Sequence, residues 1–215
     1  MNKFFSLGRK KNRALPVICV CVGQVIWGFS YLFTRIAQSS ASPTVVLSMR
    51  FLASWVIMTA LIWSGKKSFS LKGKNFRPLL ALALLEPPYY FFESYGVYYS
   101  NATFAGTVMA FAPVVGILAA MLFLGEKPTR RQKIFSLLPT AGVIIITSVG
   151  SSMGIVKPLG AIFLFASQIV AAGMKLYNKK SSEEFSSFER TYAIVVANAI
   201  IFTIKSICLL YTSPS

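Results

Sequence analysis

The stretch of sequence that decides the fold runs from Leu85 to Lys127 and reads LEPPYYFFESYGVYYSNATFAGTVMAFAPVVGILAAMLFLGEK. Two long apolar runs meet in this stretch at Ser100-Asn101, a connection that is too short to extend away from a membrane surface. The first run carries two carboxylates, Glu86 and Glu93, although a helix that faced only lipid would carry none. We therefore predict a helical hairpin that lines a polar path through a bilayer.

The composition of the whole chain is that of a membrane protein. Hydrophobic residues make up 55% of its 215 residues and charged residues 13%, and the mean hydropathy is +0.63. A soluble domain has about 45–50% apolar and about 25% charged residues. Apolar runs of about twenty residues, the length that crosses a bilayer as a helix, recur along the chain. We predict an all-α integral membrane protein with about seven transmembrane helices, at residues 15–38, 44–64, 78–99, 102–124, 134–149, 158–177 and 191–210.

The residue types that are present exclude several classes of enzyme. The chain has no His and no Asp, which excludes Ser-His-Asp triads, His-based metal sites and aspartate dyads. A membrane enzyme is disfavoured because no paired acidic motif lies at a membrane surface. The three Cys residues lie in apolar runs, where cysteine packs as a small hydrophobic residue. We predict no enzymatic activity, no cofactor and no metal site.

Positive charge is concentrated on one side of the predicted helices. The 22 Lys and Arg residues exceed the 6 acidic residues and give a net charge of +16. Most of these bases lie in the leader and in the loops after the second, fourth and sixth predicted helices, which share one side. The positive-inside rule places this side and the N-terminus in the cytoplasm. The anionic inner leaflet of a cytoplasmic membrane supplies the counter-charge, so the sequence does not call for a nucleic-acid partner.

The first and sixth predicted helices resemble each other. Gln24-Val25-Ile26 matches Gln168-Ile169-Val170, and in the same register Arg35 matches Lys179. Five predicted helices separate the starts of the two copies, so the copies have opposite orientations in the membrane. This arrangement is typical of the inverted-topology repeats of secondary transporters.

A series of short motifs runs in order along the chain. They are Trp27-Gly28-Phe29-Ser30, Arg50-Phe51, Phe92-Glu93-Ser94-Tyr95-Gly96, Tyr98-Tyr99-Ser100-Asn101-Ala102, Pro113 and Leu124-Gly125-Glu126-Lys127. On this series, over residues 15–210, the chain resembles the EamA-type members of the drug/metabolite transporter superfamily. The spacing from the short turn through Pro113 to the Gly-Glu-Lys end is its most specific part.

The resemblance implies a fold of two inverted five-helix repeats and a function in secondary transport. The expected activity is export of a small organic solute (a metabolite, amino acid or drug) by alternating access, with a proton as a candidate coupling ion. We expect a basic cytoplasmic leader, a complete first repeat, a partial second repeat and a non-native polar tail, at 1–14, 15–149, 150–210 and 211–215. The reading frame is thus expected to be truncated. The alternative is a non-transporting membrane scaffold, or a half-transporter that must dimerise.

The two carboxylates are the first candidates for the solute pathway. Glu86 and Glu93 are seven residues apart and lie close to one helical face. An ionised carboxylate inside a bilayer costs at least about 2.5 kcal/mol unless it is hydrated, paired or protonated. The functional interpretation is proton coupling or amine binding, and the structural one is an ion pair with Arg50 or a hydrogen-bonded neutral acid.

Further candidates come from helical spacing and from helix-breaking residues. Tyr90 falls near both carboxylates, and Trp27 lies mid-helix, where it either packs in the core or lines the pathway. Pro113 leaves the carbonyl near Met109 without its donor and is expected to hinge its helix. The predicted pathway set is Trp27, Ser30, Arg50, Glu86, Tyr90, Glu93 and Pro113.

Overall fold

A computed structural model describes residues 14–125, 127–132, 134–138, 141, 145 and 157–212. Within these ranges the chain is helical and has no strand, which confirms the predicted all-α class. Seven helices have defined bounds: α1 Ala14–Ala37, α2 Pro43–Trp63, α3 Arg77–Tyr99, α4 Ala102–Met109, α5 Ala112–Leu124, α6 Pro158–Ser181 and α7 Ser187–Thr212. Most of the predicted helix at 134–149, nearly all of the leader and the last residues of the tail lie outside the described residues.

Helix α3 is the centre of the described structure. It packs most extensively against α6, and it also contacts α1, α2, α4 and α7. Four other helices, α1, α2, α6 and α7, contain spans that are long and apolar enough to cross a membrane. Helix α3 is the more polar one and continues without interruption through Pro87 and Pro88. Polar groups and prolines are tolerated in a membrane where neighbouring protein surrounds them, and this is the position of α3.

Two clusters of buried apolar residues hold the helices together. One joins α2 to α7 through Leu47, Phe51, Val195, Ala199 and Phe202. The other joins α3, α4 and α6 through Val97, Ala105, Val108 and Leu164. Glycines let α3 and α6 approach closely, since a Cβ on Gly160 would lie 2.9 Å from the carbonyl carbon of Tyr99.

The turn between α3 and α4 is closed by its own two side chains. The Ser100 hydroxyl donates to the Gly96 carbonyl at 2.6 Å, which satisfies an acceptor at the end of α3. The Asn101 side chain accepts from the backbone N–H of Phe104 at 2.8 Å and caps the start of α4. These bonds explain how the chain reverses within two residues.

The structure divides the predicted helix at 102–124 into α4 and α5. The division falls at Ala110 and Phe111, two to three residues before Pro113. Pro113 has no N–H to donate to the carbonyl of Met109, so the regular helical bond is missing there. The break therefore lies at the predicted hinge, and the single predicted helix is corrected to two.

Candidate functional site

A large cavity lies among α1, α3, α4, α5, α6 and α7. Its volume is about 1180 Å³. Its lining extends from Ala102 and Thr103, at the start of α4, to Asn178 and Arg190, near the loop that joins α6 to α7. Because α6 begins beside the α3–α4 turn and ends at the opposite end of the bundle, the cavity runs along most of the length of the helices.

Glu86 faces this cavity from α3. Its residue is 7% exposed, yet its carboxylate has no hydrogen bond or ion pair with any residue in the described part of the chain. The one ion pair within 4 Å among the described residues joins Lys74 to Glu189. Glu86 is therefore a buried acid whose partner is not another described side chain.

Glu93 is held by two tyrosine hydroxyls. Tyr31 of α1 donates to Oε1 of Glu93 at 2.8 Å, and Tyr89 donates to the same oxygen at 2.7 Å. The residue is 6% exposed. The predicted alternative of an ion pair with Arg50 is not what the structure has, because the described residues contain no contact within 4 Å between these groups. Glu93 is hydrogen-bonded instead, and the neutral state in the other alternative stays a prediction.

A second, small cavity lies on the other side of Glu93. Its volume is about 10 Å³, and Ser30, Tyr31, Arg50 and Glu93 are among its lining residues. A space of this size is just large enough for one water molecule. The Arg50 guanidinium lies 5.6 Å from the ring centre of Tyr90, within the range of a cation–π interaction.

Positively charged side chains line the part of the large cavity that is nearer the α6–α7 loop. The Lys175 ammonium donates to the Ala112 carbonyl at 3.1 Å, at the start of α5. The Arg190 guanidinium donates to the backbone and side-chain oxygens of Asn178, while its Nε is buried without a partner. The cavity thus has an acid in its wall and two bases in the half nearer that loop.

Comparison with known proteins assigns the chain to a family. Residues 14–148 match the EamA-like transporter family. The chain belongs to this family. Together with the four apolar helices, this membership identifies an integral membrane protein of the drug/metabolite transporter superfamily.

Several relatives of this EamA-family chain are named as transporters. The chain is 31% identical over 195 residues to the uncharacterized transporter YcxC of Bacillus subtilis, an alignment that covers 89% of this chain and 62% of YcxC. It is 21% identical over 184 residues to an uncharacterized transporter of Archaeoglobus fulgidus, covering 85% of this chain and 64% of that protein. Protein PagO of Salmonella typhimurium is 29% identical over 108 residues, which cover 49% of this chain and 35% of PagO.

The chain matches only part of each of these relatives. It spans less than two thirds of the length of the B. subtilis and A. fulgidus relatives. No solved structure is significantly similar to it. Within the described residues, no three or more metal-binding side chains come together.

The structure sorts the predicted pathway residues into two groups. Trp27, Glu86, Tyr90 and Pro113 line the large cavity, and Ser30, Arg50 and Glu93 line the small one. The Ser30 hydroxyl is engaged within its own helix, where it donates to the Trp27 carbonyl at 2.7 Å. The part that these residues play in transport stays a prediction.

The predicted pathway set omits two tyrosines that bond Glu93 and two glutamines that line the large cavity. Tyr31 lines both cavities and, like Tyr89, bonds Glu93. Tyr31 lies four residues after Trp27, so helical spacing to a candidate pathway residue was a signal for it. Gln24 and Gln168 both line the large cavity, and their match in the predicted repeat was a second signal.

Proposed function

We propose that this EamA-family chain forms the solute-binding part of a secondary transporter that exports a small charged organic solute across the cytoplasmic membrane. The observation that carries the proposal is Glu86, a buried carboxylate without a partner among the described side chains, in the wall of a cavity of about 1180 Å³. The volume of the cavity exceeds that of a typical small-molecule site, about 300–1,000 Å³. A cavity of this size is large enough to be part of a solute path as well as a binding pocket.

The energetics of Glu86 favour a partner that comes from outside the protein. A buried charge without a hydrogen bond or counter-charge costs several kcal/mol, so such groups are not retained for stability. Acidic residues within membrane helices mark substrate or ion pathways, and they face the interior of the bundle. A solute ammonium, a proton or water in the cavity would each reduce this cost.

The residues in the cavity wall support the proposed class of solute. Trp27, Tyr31, Tyr89 and Tyr90 line the same cavity as Glu86, and aromatic faces with a carboxylate bind organic ammonium groups. Lys175 and Arg190 supply positive charge in another part of the same cavity. A solute that carries both an amine and an anionic group, as amino acids and many metabolites do, fits this distribution.

Two features support alternating access as the mechanism. The break between α4 and α5 lies in the cavity wall, where Met109, Ala110, Ala112 and Pro113 all contribute to the lining. Such a break lets α5 tilt without moving α4. The second is the predicted inverted repeat, because in secondary transporters two such repeats form the halves that rock around a midplane site.

A binding experiment on the 215-residue chain tests the proposal. The Trp55→Phe and Trp63→Phe changes leave Trp27 as the single Trp, so its fluorescence reports on the cavity. Zwitterionic, cationic and anionic solutes are then titrated against the chain in nanodiscs. We expect zwitterionic or cationic amines to bind. Glu86→Gln should weaken that binding about tenfold or more, because the solute amine then loses its hydrogen bond to a charged carboxylate.

The matched control is Glu183→Gln, which makes the same chemical change at an exposed loop position. It should leave the affinity unchanged. Binding that is equal in both variants would remove Glu86 from the site. Flux of the bound solute, and its dependence on a pH gradient, is measured in proteoliposomes at several protein-to-lipid ratios. A steep dependence on that ratio would favour a half-transporter that dimerises, and an absence of binding and flux would favour a scaffold.

A further inference from the structure

A row of aromatic rings follows one face of α3 on the side away from the cavity acids. Phe91, Tyr95 and Tyr99 are spaced four residues apart, so they align along the helix. The ring centres of Phe91 and Tyr95 are 4.6 Å apart, and those of Tyr95 and Tyr99 are 6.3 Å apart. Phe163 of α6 lies 6.1–6.3 Å from all three rings. We call Phe91, Tyr95, Tyr99 and Phe163 the aromatic row.

Two lysines end on the faces of this row. The Lys205 ammonium, from α7, lies 3.8 Å from the ring centre of Phe91 and 5.9 Å from that of Tyr95. The Lys157 ammonium lies 5.8 Å from the ring centre of Tyr99. Neither ammonium has a hydrogen bond or an ion pair with any residue that the structure describes. Within the described part of the chain, both cations therefore contact ring faces and have no counter-charge.

The described acids do not supply that counter-charge. Glu183, Glu184 and Glu189 lie at the opposite end of α3, where Glu184 and Glu189 bond the loop that precedes it. Glu93 is engaged by two tyrosines, and Glu86 faces the large cavity. Within the described residues, therefore, no acid lies beside Lys205.

Lys205 lies near the level at which α2 begins. The neighbouring Ser206 hydroxyl donates to the Thr44 carbonyl at 3.3 Å, so this part of α7 lies level with the first turn of α2. Long basic side chains near helix ends extend to the membrane interface, and tyrosines are enriched there. Beside the row, the apolar side chains of Ile162 and Ile204 are 63% and 57% exposed, as expected for contact with acyl chains.

We propose that the aromatic row with Lys157 and Lys205 binds an anionic phospholipid. The anionic headgroup lies over the row, where the two ammonium groups supply positive charge, and the acyl chains lie along α6 and α7 beside Ile162 and Ile204. Basic side chains near a membrane surface attract anionic lipids, here at the end of α3 that is predicted to face away from the cytoplasm. The site is separate from the large cavity, since none of its four rings and neither lysine lines that cavity, and the proposal does not depend on the transported solute.

Native mass spectrometry of the 215-residue chain, released from nanodiscs that contain equal amounts of phosphatidylglycerol and phosphatidylcholine, tests the site. We expect phosphatidylglycerol to be retained preferentially. Lys205→Gln should reduce that preference about fivefold, the effect of one basic residue near an anionic lipid surface. Lys205→Arg keeps the charge and should keep the preference, and Lys157→Gln should reduce it in a protein whose α7 is unaltered.

Lys72→Gln is the matched control, because Lys72 is an exposed lysine at the other end of α3. Equal retention of the two lipids by the unmodified chain, or an equal loss in Lys72→Gln and Lys205→Gln, would overturn the proposal. Addition of inorganic phosphate at millimolar concentration separates a phosphate site from a lipid site. Full displacement of phosphatidylglycerol by phosphate would also overturn it, because the acyl chains would then contribute nothing.

Discussion

The hydroxyl of Tyr31 on α1 donates a hydrogen bond of 2.8 Å to Glu93 on α3. Helix α1 packs mainly against α3 and α4, and most of its described side chains are exposed. Two further bonds tie the same end of this region to α3: Arg35 donates to the Tyr98 carbonyl at 2.8 Å, and Gln38 donates to Ser94. A small number of polar contacts thus holds a helix that has little buried apolar surface. One of them, the hydrogen bond from Tyr31, has a buried acid as its acceptor.

Tyr31→Phe should loosen α1, because it removes the hydroxyl that bridges α1 and α3. A hydrogen bond contributes about 0.5–1.5 kcal/mol, and up to about 3 kcal/mol where its acceptor is charged, which predicts amide exchange in α1 that is faster by about twofold or more. Hydrogen exchange with mass spectrometry measures this for peptides within residues 17–37. Tyr89→Phe is the control, since it removes the other bond to the same oxygen but lies on α3 itself. Equal effects of the two variants on α1 would show that the hydrogen bond from Tyr31 to Glu93 does not hold α1 against α3.

The two glutamates should respond differently to neutralisation. Glu93→Gln weakens two hydrogen bonds from tyrosine hydroxyls and should lower stability by about 1–3 kcal/mol. Glu86→Gln removes a buried charge that has no described partner, so it should leave stability unchanged or raise it. The midpoint of thermal unfolding in detergent measures both. A loss of stability in Glu86→Gln as large as in Glu93→Gln would show that Glu86 has a structural partner.

The sequence was sufficient to predict the fold class and to expect Glu86 and Glu93 inside the bundle rather than facing lipid, because both predictions depend on composition and helical spacing. Apolar runs set the helices, and the proline at 113 placed the break between α4 and α5. The partners of Glu93 were not predicted, because Tyr31 is distant in sequence and its approach depends on how α1 packs against α3. The pairing of Glu93 with Arg50 was a reasonable electrostatic expectation, but the structure places Arg50 over the ring of Tyr90 instead.

Gly160→Ala should destabilise the contact between α3 and α6. The new Cβ would lie 2.9 Å from the backbone of Tyr99, which cannot rotate away as a side chain can. Overpacking of this kind costs about 1–3 kcal/mol. Gly28→Ala is the control, because a Cβ there meets nothing within 4 Å and alanine is the better helix former. The unfolding midpoint should fall in Gly160→Ala and stay constant or rise in Gly28→Ala; the reverse order would contradict the packing.

Glu189→Gln should weaken the contact between the loop before α3 and the start of α7. The carboxylate accepts from the Lys74 ammonium at 2.7 Å and from the backbone N–H of Ser186 at 2.8 Å. Removal of its charge should lower stability by about 1–3 kcal/mol, and should make stability less dependent on salt concentration. Glu183→Gln, at an exposed position of the same loop region, should change neither quantity. Identical midpoints for the two variants at low salt would show that the ion pair contributes nothing.

Cysteine labelling should report Lys72 and Lys157 on opposite sides of the membrane. Lys72 lies in the loop before α3, and the backbone N–H of Lys157 donates to the carbonyl of Tyr99 at the other end of that helix, at 3.1 Å. The test uses Lys72→Cys and Lys157→Cys in a chain whose native cysteines, Cys19, Cys21 and Cys208, are replaced by alanine. An impermeant maleimide added to intact cells should label the Lys157→Cys variant, because the basic loop around Lys72 is predicted to be cytoplasmic. The Lys72→Cys variant should react after the cells are opened. Labelling of both positions in intact cells would contradict the single crossing of α3, and labelling of Lys72→Cys alone would reverse the predicted orientation.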